Sequence, residues 1–259
     1  MHLILTGATG LVGSAVLNSM IKTPEISKIS ILSRRPVQQA DDSKDPRINV
    51  IIHKDFSNYD SEVINSLRDA DGCVWALGIS QAEVSKEDYV TITKDYALKF
   101  AQAFTSTPST ASHPLNFIYV SGFGTTHTPS RFTAIFAKIK GETELALDQV
   151  RAKNPNFKAE SVRPAFVDWL DQPEIKPYLS KSIGLVKTTL GTMMQPFVKY
   201  GAKNSMWSPT EMLGRYCVGM AMGKWEDDLK KADKKDVEVL GGGMRVVENT
   251  WMWSILGGN

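Results

Sequence analysis

The run Thr6-Gly7-Ala8-Thr9-Gly10-Leu11-Val12-Gly13 decides how this sequence folds. It follows a short apolar stretch, His2–Thr6, that reads as a strand centred on Leu3–Leu5, and it opens a helical stretch from Leu11 to Ile21. Three glycines between a strand and a helix let the backbone bend sharply. They also let phosphate oxygens approach the unpaired peptide N–H groups at a helix N-terminus. A last position without Cβ lets the helix pack closely on the strand before it. The spacing alone also suits an ordinary strand–helix turn; the flanking strand and helix favour the phosphate-binding reading.

Working outward, short apolar runs alternate with longer helical patterns through the first two-thirds of the chain, the signature of parallel βαβ units. Further strands are expected at Ile29–Leu32, Asn49–His53, Gly72–Ala76, Asn116–Ser121 and Glu160–Arg163. A long helix is expected over Tyr89–Phe104, with Tyr89, Ile92, Tyr96 and Phe100 on one face, and another over about Ala134–Lys153. Between them, Thr105–Pro114 is rich in Ser, Thr and Pro and reads as an exposed connection. After Pro164 the pattern changes. Segments 175–203 and 210–224 read as amphipathic helices, with Met193, Met194, Phe197, Met212, Met220 and Met222 among their apolar residues. Such residues are core more often than pocket lining. Lys230–Asp236 reads as a solvated charged turn, Val237–Leu240 as a late strand and Gly241–Gly243 as a flexible turn.

These elements predict an α/β protein: one doubly wound, parallel-sheet Rossmann domain over residues 1–259. Residues 1–165 form its cofactor-binding core, and 166–259 a small, mostly helical cap over the open edge of the sheet, where substrates bind. The aromatic tail Trp251–Leu256 could dock on the body, meet a second copy in a homodimer or rest on a membrane surface. Its lack of a basic face favours docking or a homodimer.

A chain of 259 residues, 42% hydrophobic and 22% charged, suits a single soluble domain with a substantial core. The net charge of +2 and scattered lysines argue against nucleic acid as a partner. Cys73 and Cys217 lie far apart with no histidines nearby, so neither a disulfide framework nor a metal site is expected, and a reducing compartment suits them. The strand beginning at residue 2 leaves no room for a secretory n-region, and no apolar run approaches about 18 residues. A cytoplasmic protein without a membrane span is expected.

The pattern Gly-x-x-Gly-x-x-Gly differs from the Gly-x-Gly-x-x-Gly fingerprint. It resembles the motif of extended and atypical short-chain dehydrogenase/reductases, and the resemblance runs through most of the chain. Leu32-Ser33-Arg34-Arg35-Pro36, Trp75-Ala76-Leu77-Gly78, Tyr119-Val120-Ser121-Gly122 and Val162-Arg163-Pro164-Ala165 stand at its further landmarks, each at the end of a strand. Lys138-Ile139-Lys140-Gly141-Glu142, with Arg163-Pro164, is similar to the atypical subgroup around the human Tat-interacting protein. The resemblance implies a nicotinamide dinucleotide held by Gly7, Thr9, Gly10, Leu11, Val12 and Gly13 at the pyrophosphate and by Asp55 and Phe56 at the adenine. It also implies contacts from Ala76, Leu77 and Gly78, and from Pro164, Phe166 and Val167 toward the nicotinamide. Asp55 equally suits a turn cap.

The end of the second strand selects the cofactor. An Asp or Glu there would accept the ribose 2′-hydroxyl and repel a 2′-phosphate. Ser33-Arg34-Arg35 has no carboxylate, and a guanidinium can fork onto phosphate oxygens and stack on adenine. NADP(H) is therefore expected over NAD(H), with Arg34 the first choice of the two arginines. Two solvent-facing arginines are the plainer alternative.

The resemblance also implies a serine after strand five and a Tyr-x-x-x-Lys on the next helix, whose spacing puts tyrosine and lysine on one face. Ser121 and Lys140 stand in place, to orient the substrate oxygen and hold the ribose. At the tyrosine position stands Phe136, which cannot exchange a proton. Tyr119, inside strand five, points wrongly for that role. Three readings follow. The first is an oxidoreductase acting on a small to medium, apolar carbonyl or alcohol, with the proton supplied by Thr125, Thr126, His127, Thr133 or Tyr178. The second is a non-redox isomerase or cyclase that keeps its cofactor, and the third a nucleotide-sensing scaffold. Among the proton candidates His127 has the most suitable intrinsic pKa. Arg163 is equally suited to a structural ion pair.

Overall fold

Alternation along β1 (His2–Thr6) sends Leu3 and Leu5 to one face and Ile4 to the other, and all three are fully buried in a computed structural model that describes residues 1–108, 110–111, 113–179 and 203–257. A strand buried on both faces belongs inside a parallel sheet covered by helices on both sides. Accordingly, β1 pairs in parallel with β2 (Lys28–Ser33) and with β4 (Gly72–Trp75). β3 (Ile48–Ile52) lies outside β2, and β5 (Leu115–Val120) and β6 (Phe157–Arg163) lie beyond β4. The order β3-β2-β1-β4-β5-β6 reverses between β1 and β4, so the loops leaving those two strands diverge and open a crevice at their C-terminal ends. The sheet is the expected doubly wound one, enlarged to eight strands. β10 (Arg245–Glu248) adds in parallel to β6, and β9 (Val237–Val239) closes that edge antiparallel. β7 (Phe166–Asp168) and β8 (Trp207–Pro209) pair with each other in a small separate sheet.

Each face has its own core. On one, α1 (Leu11–Ile21) and the helix Thr210–Ala221 bury Val16, Leu17, Met20, Leu213, Tyr216 and Met220 against Leu3, Leu5, Ile29 and Ile31. A Cβ on Gly214 would lie 2.5 Å from Ala15 O, so the two helices meet backbone to backbone. On the other face lies an aromatic core of Trp75, Phe100, Phe104, Phe117 and Phe157, with successive ring centroids 5.1 to 5.9 Å apart. Phe157 belongs to this core, which is why β6 begins three residues before the expected Glu160.

The long helix expected over Tyr89–Phe104 runs as Lys86–Val90, a π turn at Thr91–Asp95, and Tyr96–Thr105. The π turn inserts a residue into the helical repeat. The fully buried line is consequently Tyr89, Thr93, Ala97 and Phe100, while Ile92 and Tyr96 are half-buried. Thr93 O accepts the Tyr119 hydroxyl at 3.2 Å, which fixes Tyr119 in the interior and away from the crevice.

In the C-terminal third, Met220 is core, and Met212 and Met222 pack at its margin. Met193, Met194, Phe197 and most of the helix expected over 175–203 lie outside the described residues. Its beginning, Pro173–Tyr178, is a 3-10 helix whose Ile175 packs on Leu11 and Ala15. The charged turn expected at Lys230–Asp236 begins instead as the end of a short helix, Glu226–Lys231, anchored by buried Leu229. The tail forms the helix Asn249–Leu256 and docks on the body, with Trp253 stacked on Trp207 at 5.5 Å and donating to Trp207 O at 2.8 Å. No helix among the described residues is long and apolar enough to cross a membrane.

The β6–β10 pairing carries a buried charge cluster. Register sets Arg245 opposite Glu160, and its guanidinium binds both that carboxylate and, at 2.6 Å, Glu226. Removing one member leaves a buried charge without compensation. Arg245→Met is expected to destabilise the protein by about 3–5 kcal/mol, read as a lowered urea midpoint. An unchanged midpoint would show that the β10 edge contributes nothing to cooperative unfolding.

Candidate active site

Gly7 has φ +72°, a left-handed conformation that glycine adopts without strain. A Cβ there would collide with the backbone of Ala76 and Leu77 after β4, and one on Gly13 would collide with Gly7 O. The turn, the start of α1 and the loop after β4 thus approach backbone to backbone, and Leu77 N–H reaches Thr6 Oγ1 at 3.3 Å across the switch point. Gly10 caps α1 without a side chain, and no carboxylate stands in the first turn. Its own N–H donates to Gly7 O at 2.9 Å, while the N–H groups of Leu11, Val12 and Gly13 have no acceptor within the helix. Unpaired amides, the positive helix end and the lack of a negative side chain together make a site for an anion.

Beside this turn, Ser33 Oγ donates to Arg35 O at 2.7 Å and shapes the bend after β2. Arg34 and Arg35 are both exposed. It is Arg35 whose guanidinium reaches the glycine turn, donating to Thr9 Oγ1 at 3.2 Å, a contact that strand-end spacing did not single out. Asp55 caps its own turn, accepting from Ser57 N at 2.9 Å and Asn58 Nδ2 at 2.7 Å. Phe56 is 1% exposed, its ring tilted against Tyr96 and edge-on to Trp75, so only its backbone can meet a ligand. Ala76, Leu77 and Gly78 continue from β4 along the crevice. Past β6, Pro164 O accepts from Phe123 N at 2.8 Å, and Ala165 N–H is taken by buried Ser208 Oγ at 2.9 Å. Phe166 and Val167 follow in β7, both half-buried.

Ser121 directly follows β5, its N–H extending the ladder to Val162 O at 2.9 Å. Its hydroxyl is buried 3.2 Å from Thr125 Oγ1. On α6 (Ile135–Lys153), Lys140 Nζ donates to Ser121 O at 2.5 Å. No carboxylate among the described residues is within ion-pair distance of it. Burial pulls the Lys140 ammonium down to about 8, although Glu144 one turn further opposes the fall. Phe136 sits half-buried in the first turn of the same helix, and its N–H donates to Gln81 Oε1 at 3.1 Å. Gln81 comes from the loop after β4, so this bond joins the two walls of the crevice. Nothing in its sequence surroundings marked it.

The other proton candidates stand elsewhere. Thr126 and Thr133 accept backbone N–H bonds within their own loop. Tyr178 lies beside Asp42. His127 Nε2 is 2.7 Å from Glu144 Oε2, and Glu144, fully buried, also accepts from Ser161 Oγ at 2.8 Å and Arg163 Nη2 at 2.6 Å. Arg163 is therefore in an ion pair, completed by Glu248 at 2.8 Å. Glu144 was legible in principle: four residues past Lys140, it shares that residue's helix face.

Hydrogen bonds from His127, Arg163 and Ser121 outweigh burial and hold Glu144 down to about 2, while the Glu144 bond raises His127 above its ordinary 6.5. A raised histidine stabilises the fold fully below its unfolded pKa and ceases to as pH rises through its folded one. A depressed carboxylate stabilises above its unfolded pKa and ceases to as pH falls. The pair is thus strongest between about pH 4.5 and 6.5. The stability difference between wild type and His127→Gln in urea should be greatest in that window and shrink above it; a difference flat with pH would mean that the histidine is held uncharged.

No protein-family model matches the chain. It is 32% identical over 259 positions to leucinostatins biosynthesis cluster protein T of Purpureocillium lilacinum, covering 93% of this chain and 89% of that protein. Its fold is similar to the PhqB reductase domain of Penicillium fellutanum, with TM-score 0.62 and 17% identity over 85% of this chain and 64% of that longer one. It is similar also to an oxidoreductase of the short-chain dehydrogenase/reductase family from Burkholderia thailandensis, with TM-score 0.59 and 11% identity over 96% and 91% of the two chains. The chain belongs to the family of leucinostatins biosynthesis cluster protein T, built on the Rossmann fold of the short-chain dehydrogenase/reductases.

Proposed function

We propose that the protein is an NADP(H)-dependent oxidoreductase of the atypical short-chain type, acting on a small to medium, apolar carbonyl or alcohol. The observation that carries this reading is the glycine turn: a cradle that any Cβ at Gly7 or Gly13 would fill, open to an anion at the start of α1. The N–H groups of Leu11, Val12 and Gly13, with Gly10 and Thr9, would hold the pyrophosphate. Arg35, already over the turn, and exposed Arg34 would take the 2′-phosphate, and Ser33 would hold the bend that presents them. Asp55 and the Phe56 backbone would flank the adenine, Ala76, Leu77 and Gly78 the middle of the cofactor, and Pro164, Phe166 and Val167 its nicotinamide end.

A bound nicotinamide supplies or accepts a hydride. Ser121, buried just after β5, would orient the substrate oxygen, and Lys140, bonded to Ser121 O, would hold the ribose. Of residues 166–259, those around β7 would provide the substrate side, the Thr210–Ala221 helix, β9 and β10 being part of the sheet and its core. The relative named for leucinostatins biosynthesis supports a small biosynthetic intermediate as substrate. A second reading, a cofactor-binding isomerase or cyclase without redox turnover, is favoured by Phe136 alone.

Calorimetry with NADPH and NADH tests the cofactor. Changing Arg35 or Arg34 to Ala should weaken NADPH by roughly 10- to 150-fold, the value of a charged hydrogen bond of about 1.5–3 kcal/mol, and leave NADH nearly unchanged. Tighter binding of NADH by the wild type would overturn the assignment. Following NADPH oxidation over a panel of aldehydes and ketones separates the two readings. Wild type should turn over; if only Phe136→Tyr does, the non-redox reading holds.

A further inference from the structure

We propose that Lys140 itself exchanges the substrate proton, taking over the step for which Phe136 has no group. The inference rests on the oxidoreductase reading. Its basis is what surrounds Ser121 Oγ, where the substrate oxygen would lie. Thr125 Oγ1 is a hydroxyl, 3.2 Å away and committed to Gly122 O at 2.8 Å. Glu144 is ionised by Arg163 and carries no proton to give. His127 is turned toward Glu144 and Glu238, and Tyr178 lies beside Asp42. Lys140 Nζ remains, bonded among the described residues to a single acceptor, the neutral carbonyl of Ser121. Gly122 lies beside Nζ, where even a Cβ would make only an ordinary contact at 3.5 Å.

Glu144, on the same helix, is bound by Arg163 of β6 and His127 of the loop, and Lys94 of the π turn is bound by Glu142. An ammonium with no counter-ion in a partly desolvated site loses its proton near neutral pH, and burial brings Lys140 to about 8. That is the range a general acid needs to work in both directions. In reduction, the carbonyl carbon takes a hydride from the reduced nicotinamide, the C=O π pair moves onto oxygen, and that oxygen takes a proton from Nζ. The products are the alcohol, the oxidised nicotinamide and a neutral amine, which water reprotonates.

Two measurements decide it. In the free protein, acetic anhydride labelling read by peptide mass spectrometry should show Lys140 reactivity rising with a midpoint near pH 8. A Lys140 profile with no midpoint near pH 8 would overturn the proposal without reference to activity. Lys140→Arg keeps a positive donor for the ribose but cannot release its proton. It should bind NADPH within about threefold of wild type by calorimetry, lose about 100-fold or more in kcat, and lose the limb near pH 8 from the kcat profile. A Lys140→Arg protein that binds NADPH and keeps a third or more of the wild-type kcat defeats the proposal and leaves the oxidoreductase reading standing. Wild type that binds NADPH yet oxidises none of it over the carbonyl panel defeats both.

Discussion

Contact between peptide planes at the end of β1 governs this molecule. Gly7 lies against the backbone that follows β4, and Gly13 against Gly7 itself, with no side chain between any of them. The glycine turn and the start of α1 are thereby held at van der Waals distance from the distant loop after β4, where the strand order reverses. The same closeness sets the tilt of α1, and through Gly214 the seat of the Thr210–Ala221 helix behind it. The crevice is the space left once those segments have met. Its depth follows from backbone geometry, and side chains only decorate its walls.

What could be read in the chain depended on how local its physics was. The glycine turn, α1 and the central strands were legible because their signals, a run of glycines and a period of two, lie within a few residues. β10 was not, because Arg245-Val246-Val247-Glu248 is short and ends in charges whose partners, Glu160 and Arg163, lie some way off on β6. The π turn escaped because period counting assumes 3.6 residues throughout, and the interruption is answered by Tyr119 on another element. At the site, Ser121 and Lys140 were pointed to by the family resemblance, and the structure joins them through Ser121 O. Gln81 did not, since a loop residue that meets a helix end leaves no periodic trace.

Phe136 changes how the crevice must be read. With an aromatic ring one turn before Lys140, the helix offers an apolar surface and a single cation. The polar machinery lies deeper, where Glu144, Arg163, His127 and Glu248 neutralise one another beneath Ser121. That cluster is expensive to bury and strong only while complete. It supports the floor of the crevice and spends its charge internally, so Lys140, bonded to Ser121 O, has no carboxylate partner among the described residues.

Gly141 carries a consequence of a different kind. A Cβ at this position would strike Thr126 O, so the segment leaving Gly122 crosses α6 with its main chain resting on the helix. Thr126 N also donates to Ala137 O at 3.2 Å, which staples the crossing from the other direction. The segment is thus pinned to α6 up to His127, and beyond it Ser130 and Thr133 bond to each other, Ser130 N donating to Thr133 Oγ1 at 2.8 Å. A longer side chain at 141 would lift the whole crossing off its support.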